Sequence, residues 1–400
     1  MSEYSFETAS PPIAVPAPTP QAVSRATRGT MALFFANGAT FATWGVHIPT
    51  IKARFELSDA MLSFAMLAVA AGAILAMGPV GRWVGRLGSG KASMIGGVAF
   101  SLVTLSVLAV PSFALLLPTL LVFGMTNALF DVGMNAQAAT VEASRTRPVM
   151  SALHGMFSLG GMVGAAFGGL MISLDVPPLA HAAMIAAMTA AVAIGVTPGL
   201  LADHPALPSA EHHREHASRA LWLLGLMAFL GLVGEGAMYD WTTVYMREVT
   251  QAPLDWVSFG YAAFSGGMAC GRFGGDLLRA RFGDARTLTA SAWVGFAGIA
   301  LALFVPFPLA ALIGFALMGL GAANMVPIFF AAASFLPGVT PAEAIARVAR
   351  FAYVGMLIGP VLIGGVAHLA NLRVGLAVVA LTMGYIALFG ARAARRYLRT

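Results

Sequence analysis

Charge is what this chain has least of. Only 10% of its 400 residues are Asp, Glu, Lys or Arg, 58% are hydrophobic, and the mean hydropathy is +0.82. A soluble domain carries about 25% charged residues. There are too few polar groups here to cover a water-facing surface, so the solvent for most of the chain is lipid. Cysteine is almost absent. Cys270 stands alone, which excludes an internal disulfide, and inside an apolar stretch it is expected to pack as a small apolar group. Catalytic signatures are missing too. No serine–histidine pair, His-Glu metal spacing or paired headgroup acids is spelled out, so no enzyme activity, metal or cofactor is expected.

Two sequence features imitate other functions. GRLGSGKA at 85–92 nearly spells a phosphate-binding loop, but ends in Ala where Ser or Thr would hold magnesium, and joins two apolar stretches rather than a strand to a helix. His204, His212, His213 and His216 share one short linker, which lacks the fixed geometry of a metal site.

What is present is a series of apolar runs. Twelve can be drawn: 30–51, 60–80, 92–110, 114–141, 150–172, 180–201, 220–246, 257–278, 288–305, 309–336, 348–369 and 372–391. Each is long enough as a helix to cross about 30 Å of hydrocarbon. Ten-residue alternation of the barrel type is not seen, so the fold class is an all-α membrane protein. The proline-rich segment 1–29 reads as a disordered tail, 202–219 as a linker between bundles at 30–201 and 220–391, and 392–400 as a basic tail. All but four of the 23 Lys and Arg fall on the side that holds both termini; Lys52, Arg54, Arg247 and Arg373 fall opposite. That asymmetry places N- and C-termini in the cytoplasm. The formal charge of +6 is then a topology signal and not one for nucleic acid.

Three acids lie inside apolar runs: Asp131 in the fourth, Glu235 and Asp240 in the seventh. A charge at mid-bilayer costs several kcal/mol and is seldom idle. Denied water, a carboxyl holds its proton more tightly, so these are the proton-coupling candidates. Asp131 handles a proton or substrate, or else holds a static helix contact. Glu235 reads as the titrating group, Asp240 as a packing or gate acid. Glu142, near the end of its run, reads as an interfacial structural charge.

Polar residues at helical spacing extend the list. Asn127, Asp131 and Asn135 share a face of the fourth run; Asn37, Trp44 and His47 share one of the first, where His47 is either a satisfied interfacial histidine or a pH-sensitive gate. His154 is placed to bond Glu142 or Asp131. Tyr239, Tyr261, Asn324 and Tyr353 complete the substrate-pathway candidates, with Ser265 beside them. Trp241 either lines the pathway or anchors the interface.

The two halves echo each other. GPVGRWVGRLGSGK follows the second run and GRFGGDLLRARFGDAR the eighth. Two six-run halves, a central linker and this paired Gly/Arg loop resemble the major facilitator superfamily. DVGMNAQAATVE, SALHGMFSLGG and GEGAMYDW resemble, more narrowly, the YbjJ-like bacterial inner-membrane transporters, distant relatives of the fucose–proton symporters. The resemblance implies two pseudo-symmetric six-helix bundles with a midplane site between them. It implies a monomeric, multi-pass inner-membrane transporter of a small solute, coupled to protons. It makes Gly81, Arg86 and Gly88, with Asp276, Arg281 and Gly283, the conformational loops. The first loop lacks an acid, so a charge clasp is expected at the second. The fucose symporters carry an acid in the first span; this chain has none. Efflux of amphiphiles in exchange for protons, or sensing without flux, are the alternative functions.

Overall fold

The computed structural model describes residues 18–394 apart from 147, 204–218, 338 and 340. The four linker histidines, most of the linker and both extreme termini lie outside the described residues. Among the described residues the regular structure is helical: α1 (Pro20–Arg54), α2 (Asp59–Leu87), α3 (Ser89–Ala109), α4 (Phe113–Ala143), α5 (Met150–Ser173), α6 (Pro178–Val196), α7 (Arg219–Glu248), the short α8 (Leu254–Val257), α9 (Phe259–Phe282), α10 (Asp284–Phe304), α11 (Pro308–Ala322), α12 (Met325–Ala333), α13 (Pro341–Leu369) and α14 (Leu372–Ala394). With α11 and α12 taken as one interrupted helix and α8 as a connector, these are the twelve expected crossings.

Local chemistry sets the ends. Thr19 caps α1 by accepting from the Ala22 amide at 3.2 Å, and Pro20 follows at the first helical position. This corrects the expected tail: residues 20–29 are helical. Ser58 and Ser112 cap α2 and α4 in the same way. The run drawn at 309–336 is broken at Ala323 and Asn324. Pro327 supplies the reason, since it cannot donate to the Ala323 carbonyl and its ring crowds that position.

Among the described residues ten helices are long and apolar enough to span a membrane by length and composition; α1 and α9 are the long ones that fall short. Their polarity is tolerable because other helices surround them. α1 packs on α4, α5, α6 and α7; α9 on α5, α7 and α11. Cys270 is a correction: it lies on an exposed face of α9, not in the core.

Within each bundle, helices meet through reciprocal glycines. A Cβ on Gly38 would fall 2.0 Å from the Phe157 carbonyl oxygen, and one on Gly160 2.0 Å from that of Phe35, so α1 and α5 approach backbone to backbone. The pair α9 and α11 repeats this at Gly267 and Gly319, each 2.0 Å from a carbonyl oxygen. Small residues at such crossings replace the hydrophobic drive that lipid does not supply.

The two loops resemble each other in geometry. Gly88 and Gly283 cap the following helices at φ 81° and 78°, a region that disfavours any side chain. The first loop recovers its missing acid from elsewhere: Asp203, past the end of α6, accepts from the Ser89 amide and hydroxyl at the start of α3. Asp203→Ala is expected to cost about 1–2 kcal/mol, as lost N-caps do, read as a lower thermal midpoint of the purified protein. At the second loop the clasp falls on Arg279, 2.7 Å from Asp284 and 3.9 Å from Asp276. That corrects the assignment of Arg281, which lies over the Phe282 ring instead. Gly81 and Arg86 stand exposed on the open end of α2.

Candidate functional site

The two bundles meet between α1, α2 and α5 on one side and α7, α9 and α13 on the other. Two ends of this seam differ. One end, here the terminal side, holds the starts of α1 and α7; the opposite end is the far side.

The far side is shut by polar contacts across the seam. Lys52, at the end of α1, lies 2.5 Å from Glu248 of α7 and 2.6 Å from Asp59 of α2. One turn and more inward, Thr243 donates to the Gly45 carbonyl at 2.8 Å, and Trp44 Nε1 donates to Asp240 at 3.2 Å. Gly364 of α13 abuts Ser63 and Trp241, and Gly45 abuts the Tyr261 ring. Trp241 is fully buried and donates to the Pro360 carbonyl at 3.1 Å. This contact seats α7 on the proline-bearing stretch of α13, and the full burial of Trp241 corrects the interfacial-anchor reading.

In the outermost layer the partly exposed Lys52–Glu248 pair crosses the seam, worth about 1 kcal/mol or less, while Asp59 steadies Lys52 from within its own bundle. Lys52→Met is therefore expected to raise far-side opening about fivefold. The measure is labelling of Thr243→Cys by a membrane-impermeant maleimide in a Cys270→Ser background.

The terminal half is looser. There α2 packs only a small separate cluster, Ala76, Val80 and Val84 against Ala92, Ala128 and Leu129. α5 and α9 remain joined, with Ser151 donating to the Arg272 carbonyl at 2.8 Å and Phe273 filling the space beside Gly155. Tyr353 of α13 is 44% exposed, yet its hydroxyl lies within electrostatic reach of both Asp131 and Glu235. Asp131, Glu235 and Tyr353 thus lie together on this looser, terminal-side stretch of the seam.

Arg272 organises the middle. Counted above among the basic flanks, it is a correction: it sits ten residues before the end of α9, about 15 Å along the helix, with its side chain 14% exposed. Its guanidinium donates to Glu235 at 3.0 Å, to Ser158 Oγ at 2.7 Å and to the His154 carbonyl at 3.3 Å. One cation on α9 thereby ties α5 to α7 across the seam. Glu235 is not a lone acid but half of this buried pair. The signal available in the sequence was a basic residue well inside the drawn eighth run.

Asp131 differs. Its carboxylate accepts only from Asn135, one turn on, at 3.1 Å, and no ion pair to it is found among the described residues. Asp240 likewise meets the Trp44 indole and no cation.

Several pathway candidates face elsewhere. His47 is a correction: it is buried between α1 and α6, 2.9 Å from His181, inside the first bundle. His154 is another. Its ring packs edge-on against Phe34, while Glu142 caps α5 through the Val149 and Met150 amides at 2.6 and 3.0 Å. Asn324 stands at the break before α12, buried against Gly275. Asn37 points its amide at Met134 of α4.

Around the shut half lies a set of buried polar atoms without partners: Asn37 Oδ1, Asn127 Oδ1, Thr242 Oγ1, Ser265 Oγ and the hydroxyls of Tyr239 and Tyr261. Each such group costs about 1–3 kcal/mol when it cannot bond.

Solved transporters share this fold. A bacterial homologue of the human lysosomal transporter Spinster, in its inward-facing and occupied conformation, superposes with a TM-score of 0.72 at 14% identity, covering 95% of this chain and 98% of the other. FucP in the outward conformation gives 0.64 at 17% identity over 95% and 100%, and the nucleoside transporter NupG 0.64 at 14% over 94% and 99%. Sequence relatives are nearer. An uncharacterised MFS-type transporter of Yersinia pestis is 32% identical over 88% of this chain and 91% of its own length. Membrane protein MosC of Rhizobium meliloti is 33% identical over 85% and 83%. The Major Facilitator Superfamily model matches residues 30–340. The chain belongs to that superfamily and is a multi-pass membrane transporter.

Proposed function

We propose that this protein is a proton-coupled secondary transporter of a small polar solute, working by alternating access, with Asp131 as the proton-bearing group. One observation carries the reading. Of the acids along the looser terminal-side stretch of the seam, which we read as an open cleft, Glu235 is matched by Arg272, whereas Asp131 has no cation among the described residues. A carboxylate so placed tolerates water in an open cleft but not dry closure; protonation removes that penalty. The bundle equilibrium then follows the proton.

Asp240 serves a different role as the acceptor of the far-side gate. Breaking its bond to Trp44 accompanies opening on that side. The unpartnered hydroxyls and amide on α4, α7 and α9 favour a solute rich in hydrogen-bonding groups. The names of two structural neighbours, a fucose:proton symporter and a nucleoside transporter, fit a solute of that kind. The basic residues on the terminal side support a cytoplasmic location for both termini in the bacterial inner membrane, so the cleft described here faces the cytoplasm. The transporter acts as a monomer, the midplane site lying within one chain.

Proteoliposomes with an imposed pH gradient test the coupling. A panel of sugars, nucleosides and other polar solutes, first screened by thermal shift, supplies the cargo. Accumulation that collapses when a protonophore dissipates the gradient is the expected result. Wild-type flux indifferent to the gradient rejects proton coupling.

A further inference from the structure

A second site lies away from the seam. α10 and α14 pack against each other within the second bundle, and their terminal-side ends border an open, shallow cleft of about 640 Å³. Arg286, in the first turn of α10, and Arg392, in the last turn of α14, line it together with Thr289, Leu388 and three alanines beside them. Ala285, also in the lining, belongs to a helix start that has no side-chain cap.

The charges in this cleft are uncompensated. Neither arginine has an ion pair among the described residues. The one acid of the same turn, Asp284, is engaged by Arg279 at 2.7 Å. Arg392 lies over the Phe389 ring at 6.0 Å, which leaves its guanidinium edge free to donate. The amides at the start of α10 add a further positive end. Two guanidiniums and a helix start around one cavity call for an anion with several acceptor oxygens.

The other wall of the cleft decides what carries that anion. Leu388, Phe389 and Tyr385 are exposed along the outward face of α14 just below the arginines. In a membrane protein that face meets acyl chains. The occupant that satisfies both parts is amphiphilic, with an anionic head at the rim and chains running down the helix pair. We propose that this cleft binds the headgroup phosphate of an anionic phospholipid, held by Arg286 and Arg392. The site is independent of the transport pathway and of the coupling reading above.

Titrations of the purified full-length protein in neutral detergent test this, with thermal midpoint as the readout. The probes are dihexanoyl phosphatidylglycerol, dihexanoyl phosphatidylcholine and inorganic phosphate. Saturable stabilisation by phosphatidylglycerol alone is expected. Arg286→Gln with Arg392→Gln should weaken it roughly 30-fold, at about one surface-cation contribution each. Both side chains are exposed, so folding is retained. Arg392→Lys, which keeps the charge but not the fork, should give an intermediate loss. A matched pair outside the cleft, Arg82→Gln with Lys91→Gln, should leave binding unchanged. Equal stabilisation by inorganic phosphate would assign the cleft to a free anion and overturn the lipid proposal. Equal stabilisation by phosphatidylcholine would reduce it to an apolar groove. No loss in the double variant, or equal loss in the matched pair, would leave only a diffuse basic rim and reject the site.

Discussion

Asp131→Asn is expected to abolish accumulation driven by a pH gradient while leaving solute exchange across the membrane intact. Asn is nearly isosteric with Asp and still offers Asn135 an acceptor, so the local bond at 3.1 Å is preserved. What is lost is the ability to lose a proton. A permanently neutral group lets the cleft close dry whether or not a proton is available, so the two bundles still rock with solute bound. Net movement against a gradient requires that the empty carrier return only in one protonation state, and that requirement disappears. Gradient-driven uptake should fall at least about 100-fold, to the level of empty liposomes, because a shift of about 3 kcal/mol in the coupling equilibrium suffices for that factor. Counterflow of labelled solute in preloaded vesicles should remain within about threefold of wild type. Equal loss of both activities would make Asp131 a binding residue. Loss of neither would remove it from the mechanism.

The second large effect concerns stability. Removing either member of the Glu235–Arg272 pair strands a charge inside the seam. Buried pairs broken from one side lose about 3–5 kcal/mol, so Glu235→Gln and Arg272→Gln should each destabilise the folded protein by that amount. The double variant leaves no charge behind and should regain most of it. The expected interaction energy is at least about 2 kcal/mol, well beyond the additivity of distant sites. SDS-titrated unfolding of the four proteins in mixed micelles closes the cycle. Additive losses would show that Arg272 is held by Ser158 and the His154 carbonyl rather than by Glu235. The same pair ties α5 to α7, so both single variants should also lose transport; the double variant tests whether the tie or the charge is needed.

Much of this architecture is written in hydropathy. Twelve crossings, the six-and-six division and the paired Gly/Arg loops follow from apolar runs and one long polar gap, because lipid leaves helices few alternatives. The three buried acids were legible for the same reason: a carboxylate in an apolar run stands out. Orientation about a helix axis was harder. α1 is surrounded by other helices on most sides, so a polar stripe on it has no unique inward direction, and His47 turned to His181 of α6 rather than to the cleft. Arg272 was read with the flanking charges because basic residues crowd the end of its run. Only the fold reveals that α9 carries it back to Glu235. Asp203 and Ser89 lie far apart in sequence, and no local pattern joins them. Asn324 was judged by depth alone, whereas the break that Pro327 imposes turns it toward Gly275.

The dependence of shape on one proton is open to direct measurement. Spin labels placed at the terminal-side ends of α4 and α13, in a Cys270→Ser background and in lipid nanodiscs, report whether the cleft is open. Double electron–electron resonance should show the open population of the otherwise wild-type protein falling as pH is lowered, because protonation of Asp131 permits dry closure. The same labels in Asp131→Asn should give a distance distribution independent of pH. Superimposable pH responses with and without the Asp131 carboxyl would contradict the account.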